Sequence, residues 1–327
     1  MQRFLDWRQF LRLDNALLSI GVPLIGAIAQ NPLLSLWNAV TLAAVGICTH
    51  VYGFVLNDVI DWELDSVNPS KQSKPLLNGF MTRRSALLLA WLQIPLALAL
   101  GAVPPAASVG SEVLLVLSCA FATIYNLYGK KLPTLPVIAD ICLGSSVGII
   151  VIWGAVVTTG KASTLVVVIS VYIVVQLALI NMLMGLQDLK YDLESGAHTS
   201  SIWLGARPSS NGRPRISNPL RAYTVVVALG ANLFLGVALL CGLWGLSPDA
   251  MPSVLLIWLL ISSVAVISLV WYFWINPLQI LLQVYYDLGY VILLVMLGAR
   301  AGVQAMVCLL AILSVPFVIM LPISQRH

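Results

Sequence analysis

The chain has 327 residues, of which 60% are hydrophobic and only 9% are charged, and its formal net charge is +4 at pH 7. Soluble domains carry roughly a quarter charged residues, so this composition excludes an ordinary soluble protein and favours one whose solvent is a lipid bilayer. The basic residues lie in short loops between apolar runs, which indicates contact with a membrane surface and argues against nucleic-acid binding.

Long apolar runs follow one another along the chain. A run of about 20 apolar residues can cross a bilayer as a helix, and a backbone in lipid must satisfy its own hydrogen bonds. Ten such runs predict an all-α membrane protein, a bundle of nine to ten transmembrane helices in one polytopic domain, 1–327. The predicted spans are 13–30, 36–57, 85–103, 106–126, 136–158, 163–187, 222–245, 251–274, 278–298 and 301–321. Segment 278–298 contains Gln283, Asp287 and Gly289, so it could instead be re-entrant or interfacial.

Lysine and arginine predict the topology, because cytoplasmic loops carry an excess of them. With the N-terminus inside, the cytoplasmic side receives all of the 17 basic residues except Lys161 and Arg300. We therefore expect a cytoplasmic N-terminus, in the plasma membrane of a prokaryote or in an endomembrane of a eukaryote.

Most of the 13 acidic residues lie in two short motifs, at the cytoplasmic ends of the second and sixth predicted spans. At about 100° per residue of α-helix, the first motif places four polar side chains on one face and Glu63 on the opposite side. The second motif places two carboxylates one turn apart, with Glu194 pointing elsewhere. The polar groups that share these faces are Asn57, Asp58, Asp61 and Asp65 in the first motif, and Asp188 and Asp192 in the second.

Stacked carboxylates repel one another on a helix, and acids near a membrane interior are costly and usually functional. Divalent cations resolve both problems, and hard oxygen donors suit Mg²⁺, whose shell is commonly completed by substrate phosphates. The sequence therefore predicts a Mg²⁺ site with two ions. The alternative is that both motifs are solvated helix ends. The expected metal ligands are Asn57, Asp58, Asp61, Asp65, Asp188 and Asp192.

Basic and tyrosine side chains lie in the loops beside these motifs. Lys71 and Lys74 follow the first motif in a turn-rich loop and are suited to binding diphosphate oxygens. Tyr125, Lys130 and Lys131 follow the fourth span. Tyr125 could bind the diphosphate or stabilise a carbocation with its ring face, or it could belong to an interfacial aromatic belt.

The motifs resemble those of the UbiA superfamily of intramembrane prenyltransferases. Asn57–Asp65 matches the NDxxDxxxD pattern of that family, Asp188–Asp192 matches its DxxxD pattern, and Tyr125–Lys131 is similar to its tyrosine–lysine motif. The resemblance implies a helical bundle around a central cavity open to lipid, in which two Mg²⁺ ions bridge aspartates and an allylic isoprenoid diphosphate. It implies transfer of the prenyl group to a small, most plausibly aromatic acceptor in quinone or meroterpenoid biosynthesis, and no protein partner is inferred from the sequence. The residues expected to take part in catalysis are His50, Asp61, Lys74, Tyr125, Lys130, Lys131 and Asp188.

The chain departs from the family pattern in two places. Lys74 precedes Pro75 where many relatives carry arginine, which keeps the charge but loses bidentate phosphate recognition. The spacing from Tyr125 to Lys130 is one residue longer than the commonest form, so either Lys130 or Lys131 could be the functional lysine.

The acceptor side is less defined. His50 lies two turns before Asn57 at nearly the same helical angle, so it could orient an acceptor or take its proton, or it could be a packing residue. Asp140 and Asp287, the other intramembrane acids, could be a cavity base or structural partners. Arg12 and its neighbours at 14 and 15 could line the cavity mouth.

Three alternatives remain open from the sequence. A terpene cyclase of the same superfamily would use the same ionisation without an external acceptor. A relative acting on a phosphoribosyl or lipid-alcohol acceptor would keep the same metal motifs. A cation-coupled transporter would place its acids near the bilayer midplane, whereas these motifs lie at the ends of their spans.

Overall fold

The computed structural model describes residues 2–13, 16–131, 136–209, 214–274, 284–285, 288–289 and 291–300. This part of the chain is almost wholly helical, and its strands are limited to a short antiparallel pair, Arg207–Pro208 with Pro214–Arg215. Within it, seven helices are long and apolar enough to cross a membrane. The predicted class, an all-α membrane protein, is confirmed, and the count of nine to ten spans stays a prediction.

The helices are named in chain order. They are α1 (Gln2–Phe10), α2 (Ala16–Gln30), α3 (Leu36–Ile60), α4 (Trp62–Ser66), α5 (Arg83–Gly101), α6 (Val109–Tyr128), α7 (Pro136–Thr159), α8 (Thr164–Met184), α9 (Leu189–Glu194), α10 (Ser200–Trp203), α11 (Asn218–Leu240) and α12 (Met251–Trp274). A single 3₁₀ turn covers Pro69–Lys71, and a further short apolar helix covers Val291–Arg300.

Seven predicted spans coincide with α3, α5, α6, α7, α8, α11 and α12 to within a few residues. The sixth prediction extends too far, because α8 ends at Met184 and residues 185–187 form a turn. The first predicted span corresponds to α2, a helix of 15 residues. Most of segment 278–298 and all of 301–321 lie outside the described residues.

Hydroxyl side chains begin several of the helices. Ser35, Thr82 and Ser217 precede α3, α5 and α11, and each accepts a hydrogen bond from the backbone N–H three residues later. Such caps satisfy backbone donors that have no partner within the helix. They explain why these helices start where the loops end.

The described residues pack as two compact units, one of which comprises residues 1–126 and 149–166. In this unit, α2 and the second half of α7 pack so closely that their backbones are in contact. A Cβ atom added to Gly26 would lie 1.8 Å from the Val151 carbonyl oxygen, and one added to Gly154 would lie 2.1 Å from that of Pro23. Small residues allow this close packing of membrane helices.

The other unit comprises residues 127–148 and 167–300. In this unit, α7 and α8 also pack closely at a glycine. A Cβ atom added to Gly144 of α7 would lie 2.3 Å from the Val174 carbonyl oxygen of α8. Ser170 of α8 donates a 2.8 Å hydrogen bond to the Gly148 carbonyl oxygen. The end of α8 packs against α11 and α12 in a core that includes Leu183 and Leu220.

Large apolar side chains also line the outside of the helices. Leu88, Leu92 and Leu96, at helical spacing on α5, are all exposed. Contiguous apolar faces of this kind are rare on soluble monomers and suit contact with lipid tails. Together with the seven candidate spans, they describe an integral multi-pass membrane protein.

Candidate functional site

The first acidic motif continues the line of α3 through a one-residue break at Asp61. The backbone N–H groups of Asp61 and Asp65 still donate to the carbonyl oxygens four residues earlier, each at 2.8 Å. The polar face predicted for a continuous helix is therefore kept. Asp58, Asp61 and Asp65 are buried, whereas the Glu63 side chain is 78% exposed. We call Asn57 and these three buried aspartates the first acidic cluster.

Three basic side chains neutralise this cluster. Lys74 Nζ lies 2.8 Å from Asp58 Oδ1 and 2.6 Å from Asp65 Oδ2, so it bridges two carboxylates two turns apart. Lys71 Nζ lies 2.8 Å from Asp65 Oδ1, and Arg12 Nη2 lies 2.5 Å from Asp58 Oδ1. Burial acts to raise the pKa of Asp65, but its hydrogen bonds and ion pairs with the two lysines outweigh burial and hold that pKa below its ordinary value.

The loop after α4 turns both lysines back onto the cluster. The N–H of Lys71 donates to the Asn68 carbonyl oxygen, and the N–H of Lys74 donates to that of Lys71. Gln72 Nε2 donates 2.7 Å to the Ser66 carbonyl oxygen. Consecutive tight turns therefore bring a basic loop alongside the acids that precede it in sequence.

Arg12 is a member of the site whose pairing the sequence did not reveal. It follows α1 with a backbone φ of +45°, a left-handed conformation that non-glycine residues rarely adopt. Two residues before Arg12, the ring of Phe10 packs against the ring of Phe80. The Arg12 guanidinium also lies over the Phe54 ring, 5.0 Å from its centroid. The sequence shows only a basic residue at the start of a span, and its acidic partner lies 46 residues away.

His50 is buried beside this turn, and both of its ring nitrogens have partners. Nε2 donates to the Leu11 carbonyl oxygen at 2.9 Å, and Nδ1 shares a 2.9 Å hydrogen bond with the Ser19 hydroxyl. The geometry therefore favours the packing alternative over proton transfer. Through Leu11, His50 fixes the turn that presents Arg12.

The second acidic motif lies where α8 ends and α9 begins. Asp188 precedes α9 and is half-buried, whereas Asp192 is buried within it. Lys130 Nζ lies 3.1 Å from Asp192 Oδ1, while Lys131 is exposed. Of the two candidate lysines, the geometry favours Lys130. Glu194 is exposed, as the helical angles predicted. We call Asp188 and Asp192 the second acidic cluster.

The remaining candidates are Tyr125, Asp140, Asp287 and positions 14 and 15. Tyr125 is half-buried near the end of α6, and its neighbour Asn126 ties this end to α3 by donating 3.3 Å to the Gly53 carbonyl oxygen. Asp140 accepts hydrogen bonds from two neutral side chains, Asn181 and Ser200. Asp287, and positions 14 and 15, lie outside the described residues.

Comparison with known proteins identifies the family. A model of the UbiA prenyltransferase family matches residues 18–266, about three quarters of the chain. The chain belongs to that family.

Several relatives of this UbiA chain have names. It is 29% identical to the digeranylgeranylglyceryl phosphate synthase of Thermococcus gammatolerans over 189 residues, 57% of this chain and 62% of that protein. It is 30% identical to the enzyme of the same name from Pyrococcus abyssi over 159 residues, 47% of this chain and 52% of that protein. The match thus spans less than two thirds of the length of either relative.

Solved structures share the fold. A UbiA homologue from Aeropyrum pernix K1 has a TM-score of 0.65 at 20% identity, covering 86% of this chain and 96% of that one. A UbiA homologue from Archaeoglobus fulgidus bound to GPP and Mg²⁺ has a TM-score of 0.66 at 12% identity, covering 91% of this chain and 100% of that one. These likenesses confirm the UbiA fold implied by the motifs.

The donor chemistry of the acidic clusters fits Mg²⁺. Both clusters offer carboxylate oxygens, and the first adds the amide oxygen of Asn57; such oxygen donors suit Mg²⁺, whereas thiolate and imidazole ligands favour transition metals. Across the described residues, no three Asp, Glu, His or Cys side chains converge as a metal site. In the first cluster, lysine and arginine hold the carboxylates of Asp58 and Asp65 instead. A metal ion entering there would have to displace these bonds.

Proposed function

We propose that this UbiA chain is a Mg²⁺-dependent intramembrane prenyltransferase that ionises an allylic isoprenoid diphosphate. The observation that carries the proposal is the first acidic cluster, in which buried carboxylates at the end of a membrane span are bonded to three basic side chains. Buried acids and bases gathered at one end of a membrane span are costly and usually functional. A bound metal diphosphate is a ligand that needs both charges.

Each cluster has a role in this proposal. Bound Mg²⁺ would neutralise the charge that develops on the leaving diphosphate. Its ligands would be Asn57, Asp58, Asp61, Asp65, Asp188 and Asp192.

The basic side chains are the proposed diphosphate ligands. Lys71 and Lys74 donate to Asp65, and Lys74 also donates to Asp58. With Mg²⁺ held by these carboxylates, the ammonium groups would be free to donate to diphosphate oxygens. Lys130, held against Asp192, is placed to do the same at the second cluster. Tyr125 stays a proposed diphosphate or carbocation ligand.

For the acceptor, we propose a glyceryl phosphate lipid with a free hydroxyl group. Support comes from the relatives, which are named digeranylgeranylglyceryl phosphate synthases. The bond from the prenyl carbon to the diphosphate oxygen breaks, an ether bond to the acceptor oxygen forms, and the hydroxyl proton leaves to solvent. The aromatic acceptor predicted from the sequence has no support from these relatives and stays a prediction. We place the reaction on the cytoplasmic side from the distribution of basic residues.

The test incubates purified protein in detergent with Mg²⁺ and geranyl, farnesyl or geranylgeranyl diphosphate. Parallel reactions contain geranylgeranylglyceryl phosphate, 4-hydroxybenzoate or no acceptor, and a matched set contains EDTA. We expect a Mg²⁺-dependent ether product with the glyceryl phosphate, detected by mass spectrometry. An adduct with 4-hydroxybenzoate alone would restore the aromatic acceptor. A cyclic hydrocarbon formed without acceptor would replace transfer by cyclisation, and diphosphate that stays intact in every reaction would refute the function.

A further inference from the structure

A buried carboxylate outside both acidic clusters connects three separate elements. Asp140, in the second turn of α7, is 6% exposed. It accepts a 2.6 Å hydrogen bond from Asn181 Nδ2 of α8. Its other oxygen accepts a short hydrogen bond from the Ser200 hydroxyl, at the start of α10. All three residues belong to one compact unit.

These contacts lie at the two ends of the segment that carries the second acidic cluster. Asn181 is in the last turn of α8, and Ser200 begins α10. Asp188, α9 and Asp192 lie between these two contacts, and Leu186 and Leu189 of the same stretch pack in the core that includes α11 and α12. Asp140 therefore closes the base of segment 181–200.

A second contact closes the same base. The Ser201 hydroxyl donates to the Met182 carbonyl oxygen. That carbonyl is among the last of α8, where backbone acceptors lack partners within the helix. The Ser201 hydroxyl, which follows the cluster in sequence, thus gives a hydrogen-bond partner to a carbonyl oxygen at the end of α8.

The far part of the segment is tied down independently. The Ala197 N–H donates 2.7 Å to the Asp192 carbonyl oxygen, and the His198 N–H donates 2.8 Å to that of Lys130. The side chain of Lys130 also forms an ion pair with Asp192. Lys130 therefore holds the far part of the segment, as Asp140 holds its base.

The use of an acid at position 140 is informative. Both of the donors described here, Asn181 and Ser200, are neutral, so neither provides the charge compensation that a buried carboxylate ordinarily requires. The two oxygens of the one carboxylate receive these two donors on separate atoms. An asparagine in the same place would keep one acceptor oxygen for Asn181 and turn its NH₂ group toward the Ser200 hydroxyl, which would then accept a hydrogen bond instead of donating one.

We infer that Asp140 is a positioning residue for the second acidic cluster. By bonding Asn181 and Ser200 together, it fixes the base of segment 181–200 and so sets where Asp188 and Asp192 present their carboxylates to Mg²⁺ and diphosphate. The inference rests on the proposed function for its catalytic consequence, but the mechanical part does not depend on activity.

The first test measures backbone hydrogen exchange by mass spectrometry in the full-length protein in detergent. Asp140→Ala should raise exchange selectively over residues 185–199. Ser200→Ala, which removes one of the two bonds, should raise it less. The matched control is Ser170→Ala, which removes another hydrogen bond between α8 and α7, deeper in the same unit. The control should leave exchange over 185–199 unchanged.

The second test titrates Mg²⁺ in the prenyl-transfer assay. Loss of a residue that orients metal ligands typically weakens metal affinity by about 10- to 100-fold. We expect Asp140→Ala to raise the Mg²⁺ concentration for half-maximal rate by about 10-fold, with most of the rate recovered at saturating Mg²⁺. Ser170→Ala should keep the wild-type titration.

The outcomes separate the inference from the proposed function. Unchanged exchange over 185–199 in Asp140→Ala overturns the inference, as does an equal rise in Ser170→Ala. If Asp140→Ala does not fold, the same criteria apply to Ser200→Ala. If the wild-type protein transfers no prenyl group, the proposed function fails while the exchange measurement still decides the role of Asp140. Selective exchange with an unchanged Mg²⁺ titration refutes the link to metal binding.

Discussion

Replacing Lys74 with methionine tests how the first acidic cluster is held in the absence of metal. The substitution keeps most of the side-chain volume but removes two charge-assisted bonds, of 2.8 Å to Asp58 and 2.6 Å to Asp65. Each such bond contributes about 1.5 to 3 kcal/mol. Each carboxylate keeps one other partner, and Lys74 is 22% exposed to solvent that screens its charge. The expected loss of stability is therefore about 2 to 4 kcal/mol, below the sum of the upper values.

The assay is thermal unfolding in detergent with EDTA. With an unfolding entropy of about 2.1 cal/mol/K per residue, a loss of this size should lower the melting temperature of this 327-residue chain by about 3 to 6 °C. Added Mg²⁺ should stabilise Lys74→Met more than the wild type, because the metal no longer competes with an ammonium group. The control is Lys190→Met, since Lys190 is exposed and lies 4.0 Å from Glu194, an arrangement that contributes little. Equal melting temperatures for Lys74→Met and Lys190→Met would refute the bridging role.

Three further predictions follow from the same contacts. Asp61→Asn should lower the rate of prenyl transfer by about 100-fold or more, whereas Glu63→Gln, on the exposed side of the same helix end, should change it less than about twofold. Equal effects of the two substitutions would contradict the predicted polar face. Lys130→Met should raise the KM for the diphosphate while the neighbouring Lys131→Met does not, as measured in steady-state kinetics, and the reverse result would identify Lys131 as the functional lysine. Gly26→Ala should reduce the yield of folded protein in size-exclusion chromatography, because its Cβ atom would lie 1.8 Å from a carbonyl oxygen of the facing helix, and normal yield would show that this contact can relax.

Much of the fold could be predicted because its causes are local. A run of apolar residues must form a helix in lipid, so seven predicted spans match helices of the structure. The polar face of the first motif was also predictable, since it depends only on the angle per residue. Even the break at Asp61 keeps this face, because the backbone hydrogen bonds continue across it.

The contacts that complete the site could not be predicted in this way. The partner of Arg12 lies 46 residues away, and the partners of Asp140 lie 41 and 60 residues away. Periodicity gives the face on which a side chain lies but does not identify the element that packs against it. For the same reason the sequence does not distinguish two roles for His50, whose hydrogen-bond partners, Leu11 and Ser19, lie 39 and 31 residues away.

The charges of the first cluster lead to a last prediction. Three aspartates, at 58, 61 and 65, lie beside Arg12, Lys71 and Lys74, so the group is close to neutral before any ligand binds. Mg²⁺ alone would have to displace the basic groups, and diphosphate alone would meet the carboxylates. Together they bring charges that nearly cancel, and each frees the partners that the other needs. We therefore expect calorimetric titration to show weak binding of Mg²⁺ or of a non-hydrolysable prenyl diphosphate analogue alone, and much tighter binding of the analogue when Mg²⁺ is present. Equal analogue affinity with and without Mg²⁺ would show that the basic groups bind diphosphate without releasing the acids.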